Sequence, residues 1–188
     1  SICEPDMIAA FREYGITVYE SDDEITDKNI LPAQRADALS KALFERNYSF
    51  VFSINFFPDI SEVCNIFHIP DRCRIGDSPV LELYSNSLAN PCNRVFLFDK
   101  ELYREFHPVN PDCIFHIPLA ANVAVWDKVI NSAKGNEFQS DIAFVGSLYS
   151  EKCPFDNIHI SSPYNKGFID GLIEAQLKVY GYFFVEEM

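Results

Sequence analysis

The feature that most constrains the fold of this chain is an alternation of two kinds of segment along its whole length. Short runs rich in β-branched and aromatic residues alternate with segments whose apolar residues recur at three- and four-residue steps. This pattern is typical of βαβ units and predicts an α/β fold, a three-layer Rossmann-like domain with a mainly parallel sheet. The predicted strands are 16–20, 48–55, 72–76, 93–99, 112–117 and 141–146.

Segments of helical period lie between the predicted strands. The segment 32–47 begins with Pro32, which suits a first helical position, and has apolar residues at Ala36, Leu39 and Leu43. Further helices are predicted before Gly15, at 58–67, at 100–106 and across 169–180.

The order of segments also predicts the domain organisation. A doubly wound domain usually begins with a strand, whereas this chain begins with a loop and a helix, so we expect the first strand of the fold to be truncated. The polar, glycine-containing stretch 132–140 is the best candidate boundary. We predict a Rossmann-like domain over 1–139, followed over 140–188 by the start of a second domain or a packed C-terminal extension.

Composition excludes several classes of function. The chain has 15 Lys and Arg against 28 Asp and Glu, a net charge of −13, so its average surface repels a nucleic-acid backbone. No apolar run approaches the roughly 20 residues of a membrane span, and residues 1–20 lack the pattern of a secretion signal. We therefore expect a cytoplasmic protein that binds no nucleic acid and has no transmembrane segment.

The six cysteines are spread singly along the chain, without C-x-x-C or a Cys/His pair at zinc-ligand spacing. This spacing favours buried free thiols, with a disulfide framework as the alternative. We predict no metal site and no cofactor.

Small or polar residues follow most of the predicted strands. Ligands of open α/β sheets bind in the crevice beyond the carboxyl ends of the strands, so these side chains are candidates for one binding cleft. The candidates are Asn55, Asp59, Asp77, Ser78, Asp99, Lys100, Asn122, Gly146 and Ser147.

Each main candidate also has a purely structural interpretation. Asp59 stands at a predicted helix start, where a carboxylate complements the helix dipole. Asp77 suits a turn or cap, Asp99 suits an N-cap, and Asn122 is similarly ambiguous. Gly146 is a lone glycine, and the chain has neither G-x-G-x-x-G nor a P-loop. The sequence leaves these alternatives open.

Histidines and nucleophiles add no further motif. The four histidines show no partner spacing, and His116 stands within an apolar predicted strand, which predicts a core residue. There is no G-x-S-x-G and no ordered Ser/His/Asp set.

Several segments, taken in order, resemble the amino-terminal region of bacterial spore-maturation, CgeB-like proteins, an uncharacterised domain that precedes a glycosyltransferase group 1 domain. The resemblance covers most of the chain. The segments are "FSINFFPDISEVCN", "DSPVLELYS", "NRVFLFDKELYREF", "HIPLAANV", "DIAFVGSLYSEK" and "GFIDGLIEAQLKVYG".

The resemblance implies the acceptor-side half of a GT-B type glycosyltransferase, whose other half holds a nucleotide sugar. Asp77 is then the candidate base or acceptor ligand, with Asp59 second. Asn55 and Asn122 would hold hydroxyl groups, and Gly146 with Ser147 would face the donor phosphates. The remaining candidates for substrate binding are Ser78, Asp99 and Lys100. Because the donor domain is mostly missing, we expect no turnover from this chain alone.

The chain departs from the family pattern within "IPDRCRIGDSP". Asp71, Arg74 and Gly76 stand where similar proteins have aromatic or apolar residues. A buried unpaired charge is costly, so the sequence predicts that this strand lies at an edge, is irregular or is altered.

Two alternatives to an enzyme remain. One is a non-catalytic module that binds a sugar or a protein through the same cleft, because fold alone does not establish activity. The other is a cytoplasmic interaction or structural protein of the spore coat. The oligomeric state is left open.

Overall fold

The computed structural model describes residues 3–21, 30–132, 140–146 and 157–182. The chain divides into two compact units, Ser1–Ala133 and Lys134–Met188. The division falls within the polar stretch that the sequence marks as a boundary.

The first unit is an α/β structure. Its strands are β1 (Val51–Ile54), β2 (Asp71–Arg74), β3 (Asn93–Leu97) and β4 (Ile114–His116). The helices in its described residues are α1 (Glu4–Glu13), α2 (Pro32–Glu45), α3 (Pro58–Phe67), α4 (Lys100–Phe106) and α5 (Val123–Ser132). Three short 3₁₀ helices in the same part of the chain occupy Leu81–Tyr84, Asn86–Ala89 and His107–Val109.

The four strands form one sheet in the order β1-β2-β3-β4, and every neighbouring pair is parallel. Asp71 lies opposite both Val51 and Asn93 in the register, and Val95 lies opposite Ile114. The predicted α/β class with a parallel sheet is confirmed. Because all strands point the same way, their carboxyl ends share one edge of the sheet.

One face of the sheet supports the core. Residues that alternate along β2, β3 and β4 point to this face and pack with the 3₁₀ helices and α4. This cluster contains Phe56, Cys73, Ile75, Val80, Leu83, Leu88, Val95, Leu97, Phe106 and Ile114. A second cluster joins α2 to α3 and reaches Val51 of β1.

Helix α1 packs on the opposite face. Phe52 follows Val51 in β1 and therefore points away from α2 and α3. The Phe11 ring of α1 lies 5.0 Å from the Phe52 ring and 5.7 Å from the Phe50 ring, measured between centroids. Helices on both sides of the sheet give the three-layer arrangement that the sequence predicts.

Two predicted strands are wrong. Residues 16–20 follow Gly15, which has a positive φ of 75°, and do not join the sheet. Residues 142–145 are apolar, but 141–146 pair with no strand among the described residues, and Val145 is 98% exposed. A strand is stabilised by a paired neighbour, which local composition does not reveal. Helix α5 was not predicted.

The expectation that the charged strand lies at an edge or is irregular is also wrong. Strand β2 lies between β1 and β3 in regular register. Arg72 and Arg74 alternate away from the core face. The Arg72 guanidinium lies 4.2 Å from the centre of the Phe50 ring, and Arg74 donates a hydrogen bond of 2.7 Å to the carbonyl oxygen of Pro118.

Asp71 remains on the core face at 1% exposure, and neither carboxylate oxygen has a hydrogen-bond partner among the described residues. Burial raises the pKa of Asp71 to about 7. This buried carboxyl is therefore a local cost to stability that the fold tolerates.

The described part of the second unit contains helix α6 (Pro163–Gln176). The Ser162 hydroxyl accepts a hydrogen bond from the backbone N–H of Asn165, which caps the start of α6. The helix predicted at 169–180 is present, but it begins and ends earlier.

No helix in the described parts of either unit is long and apolar enough to cross a membrane. The five described cysteines are free thiols.

Candidate functional site

Asn55 and Asp77 join the carboxyl ends of β1 and β2. The Asn55 side chain accepts a hydrogen bond of 2.9 Å from the backbone N–H of Gly76 and donates one of 2.6 Å to Asp77 Oδ2. Asn55 has a φ of 69°, in the left-handed region that asparagine tolerates better than most residues. Both the backbone shape and the cross-strand bonds therefore favour asparagine here.

Ser78 and Asp99 make the corresponding link between the ends of β2 and β3. The Ser78 hydroxyl donates a hydrogen bond of 2.9 Å to Asp99 Oδ2. Asp99 Oδ1 accepts from the backbone N–H groups of Glu101 and Leu102, so Asp99 is also the N-cap of α4. The N-cap alternative for Asp99 is therefore confirmed, and it is compatible with a position in the predicted cleft.

Hydrogen bonding also sets the charge of Asp99. The Ser78 hydroxyl, and then the two backbone N–H groups, lower the pKa of the Asp99 carboxyl, and nearby His116 contributes in the same direction. Asp99 is therefore a stable negative charge at neutral pH.

His116 extends the arrangement to β4. It is the last residue of that strand and lies opposite Leu97 of β3. Its Nε2 lies 3.2 Å from the carbonyl oxygen of Phe98, and its side chain is exposed. The prediction of a core histidine is wrong, because β4 is the outermost strand and ends at this residue. Asp99 stands two residues beyond the end of β3, the strand next to β4. This position is the feature of the sequence that indicates a carboxylate near His116.

We call the resulting surface the rim, and it contains Asn55, Asp77, Ser78, Asp99 and His116. All four strands contribute to it at their carboxyl ends. The rim offers carboxylate acceptors together with amide and hydroxyl donors, a mixture suited to ligand hydroxyl groups.

Within the described residues, no group of His, Cys, Asp and Glu has an arrangement that could hold a metal ion.

Asp59 belongs to a different environment. Its carboxylate Oδ2 lies 2.6 Å from Nε of Arg35, and both side chains are largely buried, at 12% and 14% exposure. The Arg35 guanidinium also lies 4.8 Å from the centre of the Phe57 ring. Asp59 therefore connects α3 to α2, and it stands in the first turn of α3, as the helix-start alternative predicts. The ion pair gives the catalytic prediction no support.

Asn122 likewise has partners of its own. Its Nδ2 donates a hydrogen bond of 2.8 Å to Asp6 of α1, and its Oδ1 accepts from the backbone N–H of Val125 in α5. These bonds connect the start of α5 to α1. Lys100 begins α4 and is exposed to solvent.

The phosphate-facing pair was predicted from a strand that does not form. Gly146 belongs to the second unit and follows the unpaired residues 141–145. Ser147 lies outside the described residues. The topological reason for assigning either residue to the cleft is therefore lost.

A pocket of about 260 Å³ lies at the other edge of the sheet. Its lining includes Pro70 and Pro91, which precede β2 and β3, together with Cys92, His68 and Arg94. No rim residue contributes to this lining. We favour the rim as the functional site because its polar groups converge from four strand ends, whereas this depression lies at the amino ends.

A scan against protein-family models and searches of curated proteins and solved structures found no match to this chain. The rim and the motifs in the sequence are therefore the features that indicate a function.

Proposed function

We propose that the first unit is the acceptor-side domain of a GT-B type glycosyltransferase and that its rim binds the hydroxyl groups of the acceptor. The observation that carries the proposal is the pair of cross-strand bonds, Asn55 to Asp77 and Ser78 to Asp99. These bonds fix two carboxylates at the carboxyl edge of a parallel sheet, where ligands of open α/β folds bind.

The geometry of Asp77 supports hydroxyl binding. Asn55 engages Oδ2, which orients the carboxylate and leaves Oδ1 to accept a hydrogen bond from a ligand. The Asp77 side chain is exposed, so a ligand reaches it without rearrangement of the core. Asp99 is held in the same way by Ser78 and the start of α4.

The resemblance in sequence supports the rest of the reaction. A nucleotide sugar would bind on a second domain, and the acceptor would be glycosylated at a hydroxyl group bound at the rim. We therefore propose that the first unit contributes acceptor binding to this reaction.

A non-catalytic sugar-binding module is the second candidate. The observation that favours it is that the rim carboxylates already accept hydrogen bonds within the protein, since Asp99 accepts three and Asp77 accepts a short one from Asn55. The hydrogen bonds lower the pKa of Asp99, which keeps this carboxylate ionised and suits it to ligand binding better than to proton transfer. Release of nucleoside diphosphate from a nucleotide sugar, measured in a protein that includes the donor domain, separates the two candidates.

Acceptor binding is tested by titrating the isotopically labelled chain with a panel of monosaccharides and disaccharides in NMR. At least one sugar should shift the backbone signals of Asn55, Asp77 and Asp99. Asp77→Asn should weaken this binding about tenfold or more, corresponding to about 1.4 kcal/mol. The matched control is Asp112→Asn, which changes an exposed acid before β4, at the amino edge. Equal binding by both variants would refute the assignment of Asp77.

A further inference from the structure

We propose that the pocket at the amino edge of the sheet is a second binding site, which takes a small carboxylate anion with an apolar body. The inference goes beyond the proposed function and does not rest on it, because no rim residue lines this pocket. The volume of about 260 Å³ is below that of pockets for drug-sized ligands, so the pocket suits a smaller molecule.

The charge of the lining is opposite to that of the protein as a whole. The chain has 28 Asp and Glu against 15 Lys and Arg, a net charge of −13. The described residues that line the pocket nevertheless include Arg94 and His68 and no acidic residue. The pocket therefore favours an anion locally, although the average surface repels one.

Arg94 supplies the positive charge in a fixed orientation. Its Nη1 donates hydrogen bonds to the carbonyl oxygens of Pro91, at 3.0 Å, and of Asn93, and it lies 3.3 Å from Cys113 Sγ. No Asp or Glu among the described residues forms an ion pair with Arg94. Because carbonyl oxygens carry no full charge, the guanidinium keeps its own charge for a ligand.

The same bonds leave one edge of the Arg94 guanidinium available. Nη1 holds the backbone, whereas Nε and Nη2 donate to no other residue in the described part of the chain. The N–H groups of Nε and Nη2 are parallel, so they match the two oxygens of a carboxylate. Arg94 is half-buried, and solvent ions screen such a pair less than an exposed one.

The other walls of the pocket suit an apolar body with a single negative charge. Ile69, Pro70 and Pro91 provide apolar surface, and Asn65 adds a neutral amide donor. One guanidinium balances one negative charge, whereas a phosphate dianion would leave a second charge uncompensated beside these apolar groups, at a cost in free energy. The lining therefore favours a monocarboxylate over a phosphate.

The C-terminal end of α3 acts in the opposite direction, because a helix dipole disfavours an anion there. Asn65 lies in the last turn of α3, and His68 is its C-cap. The N–H of Ile69 donates to the carbonyl oxygen of Cys64 at 3.0 Å. That of His68 donates to the carbonyl oxygen of Asn65 at 3.3 Å. The dipole is equivalent to about half a charge and these bonds satisfy part of it, so the full charge of Arg94 outweighs it.

Binding is tested by titrating the isotopically labelled chain with butanoate and benzoate in NMR at constant ionic strength. At least one of these anions should shift the signals of Asn65, His68 and Cys92 until they saturate, and should leave those of Asn55 and Asp77 at the rim unchanged. Butanamide and benzamide have the same shape without the charge, and they should bind about tenfold more weakly or worse. Sodium chloride at the same concentration is the control for a general salt effect.

Substitution of Arg94 tests the contact itself. Arg94→Met removes the guanidinium and should weaken binding of the carboxylate about tenfold or more. Arg94→Lys keeps a positive charge but loses the two parallel N–H groups, so its affinity should lie between those of the wild type and Arg94→Met. The matched control is Arg72→Met, because Arg72 lies opposite Arg94 in the register of β2 and β3 but lies over the Phe50 ring and does not line the pocket. This variant should bind as the wild type does.

Several results would overturn the proposal. These are the absence of any saturable shift with either carboxylate, equal binding of a carboxylate and its amide, the same shifts with sodium chloride, and equal weakening of binding by Arg94→Met and Arg72→Met. The comparison of carboxylate with amide uses the wild-type chain, so it tests the proposal even where Arg94→Met does not fold. The sugar titration tests the rim separately, so failure of one site is distinguished from failure of the other.

Discussion

Asn55 and Asp77 end neighbouring parallel strands and are joined by a hydrogen bond of 2.6 Å. The same asparagine accepts a hydrogen bond from the backbone N–H of Gly76, so one side chain ties two strand ends together. This bridge shapes the rim, and it should also contribute to stability.

Two replacements of Asn55 should separate the contribution of its hydrogen bonds to stability from that of its backbone conformation. Asn55→Ala removes both cross-strand bonds and places alanine at a φ of 69°, so we expect it to lower the free energy of unfolding by about 2–3 kcal/mol. Asn55→Gly loses the same bonds but relieves the backbone, and it should be about 1 kcal/mol more stable than the alanine variant. Urea denaturation followed by circular dichroism measures both. Equal stability of the two variants would show that the positive φ costs nothing.

The buried carboxyl of Asp71 predicts an unusual dependence of stability on pH. Burial raises the pKa of Asp71 from 3.8 in the unfolded chain to about 7 in the folded one. The stability from the protonated form is fully present below about pH 4 and is lost as pH rises to about 7. The difference between these two pKa values corresponds to about 4 kcal/mol.

Asp71→Asn should therefore stabilise the protein increasingly between about pH 4 and pH 7, and by a constant amount above that range. The charge of the carboxyl acts on the thiols of Cys64, Cys73 and Cys92, and burial raises the pKa of each, so these thiols stay neutral in this range. Urea unfolding of both proteins across pH measures the difference. A difference that does not change with pH would refute a protonated Asp71, and Asp112→Asn serves as the control for an exposed acid.

The sequence predicts this fold well where local pattern decides the outcome. The apolar runs at 48–55 and 93–99 contain β1 and β3, and Pro32 and Pro58 begin helices as their fixed φ favours. The rim follows from topology, because strands that run parallel share a carboxyl edge. The sequence therefore predicts that Asn55, Asp77 and Asp99 lie at one edge of the sheet.

The errors arise where contacts distant in sequence decide the outcome. Arg35 and Asp59 are 24 positions apart, so their ion pair is invisible to a local pattern. His116 stands in an apolar run, but the sheet ends at β4, and that strand order leaves the side chain exposed. Residues 16–20 have the composition of a strand but have no neighbouring strand in the sheet.

Asn93 should be among the most sensitive polar residues of the core. It is fully buried, accepts a hydrogen bond of 2.7 Å from the Ser61 hydroxyl, and donates to the carbonyl oxygens of Ser87 and Leu88. Asn93→Ala removes these three hydrogen bonds from the interior, at about 1 kcal/mol each, so we expect a loss of about 3 kcal/mol in the free energy of unfolding. Arg94→Ala, at the next position of β3, is the comparison on the other face. If Asn93→Ala lowered the free energy of unfolding by less than Arg94→Ala does, a structural role for the hydrogen bonds of Asn93 would be contradicted.

Replacement of Asp59 should change the stability of the protein without changing its affinity for sugar. Its ion pair with Arg35 connects α3 to α2, so Asp59→Asn should lower the free energy of unfolding by about 1–3 kcal/mol. A double-mutant cycle with Arg35→Met should give a coupling energy of at least about 0.5 kcal/mol, because the two side chains are in direct contact.

The same Asp59→Asn protein should bind the test sugar as tightly as the wild type, when affinity is measured per folded molecule by NMR titration. Asp77→Asn should show the reverse pattern, with weakened binding and a change of only about 0.5 kcal/mol in stability, since Asp77 is exposed and its partner Asn55 can still form an amide hydrogen bond. Loss of sugar binding in Asp59→Asn at full stability would instead restore Asp59 as a site residue and move the acceptor site towards the start of α3.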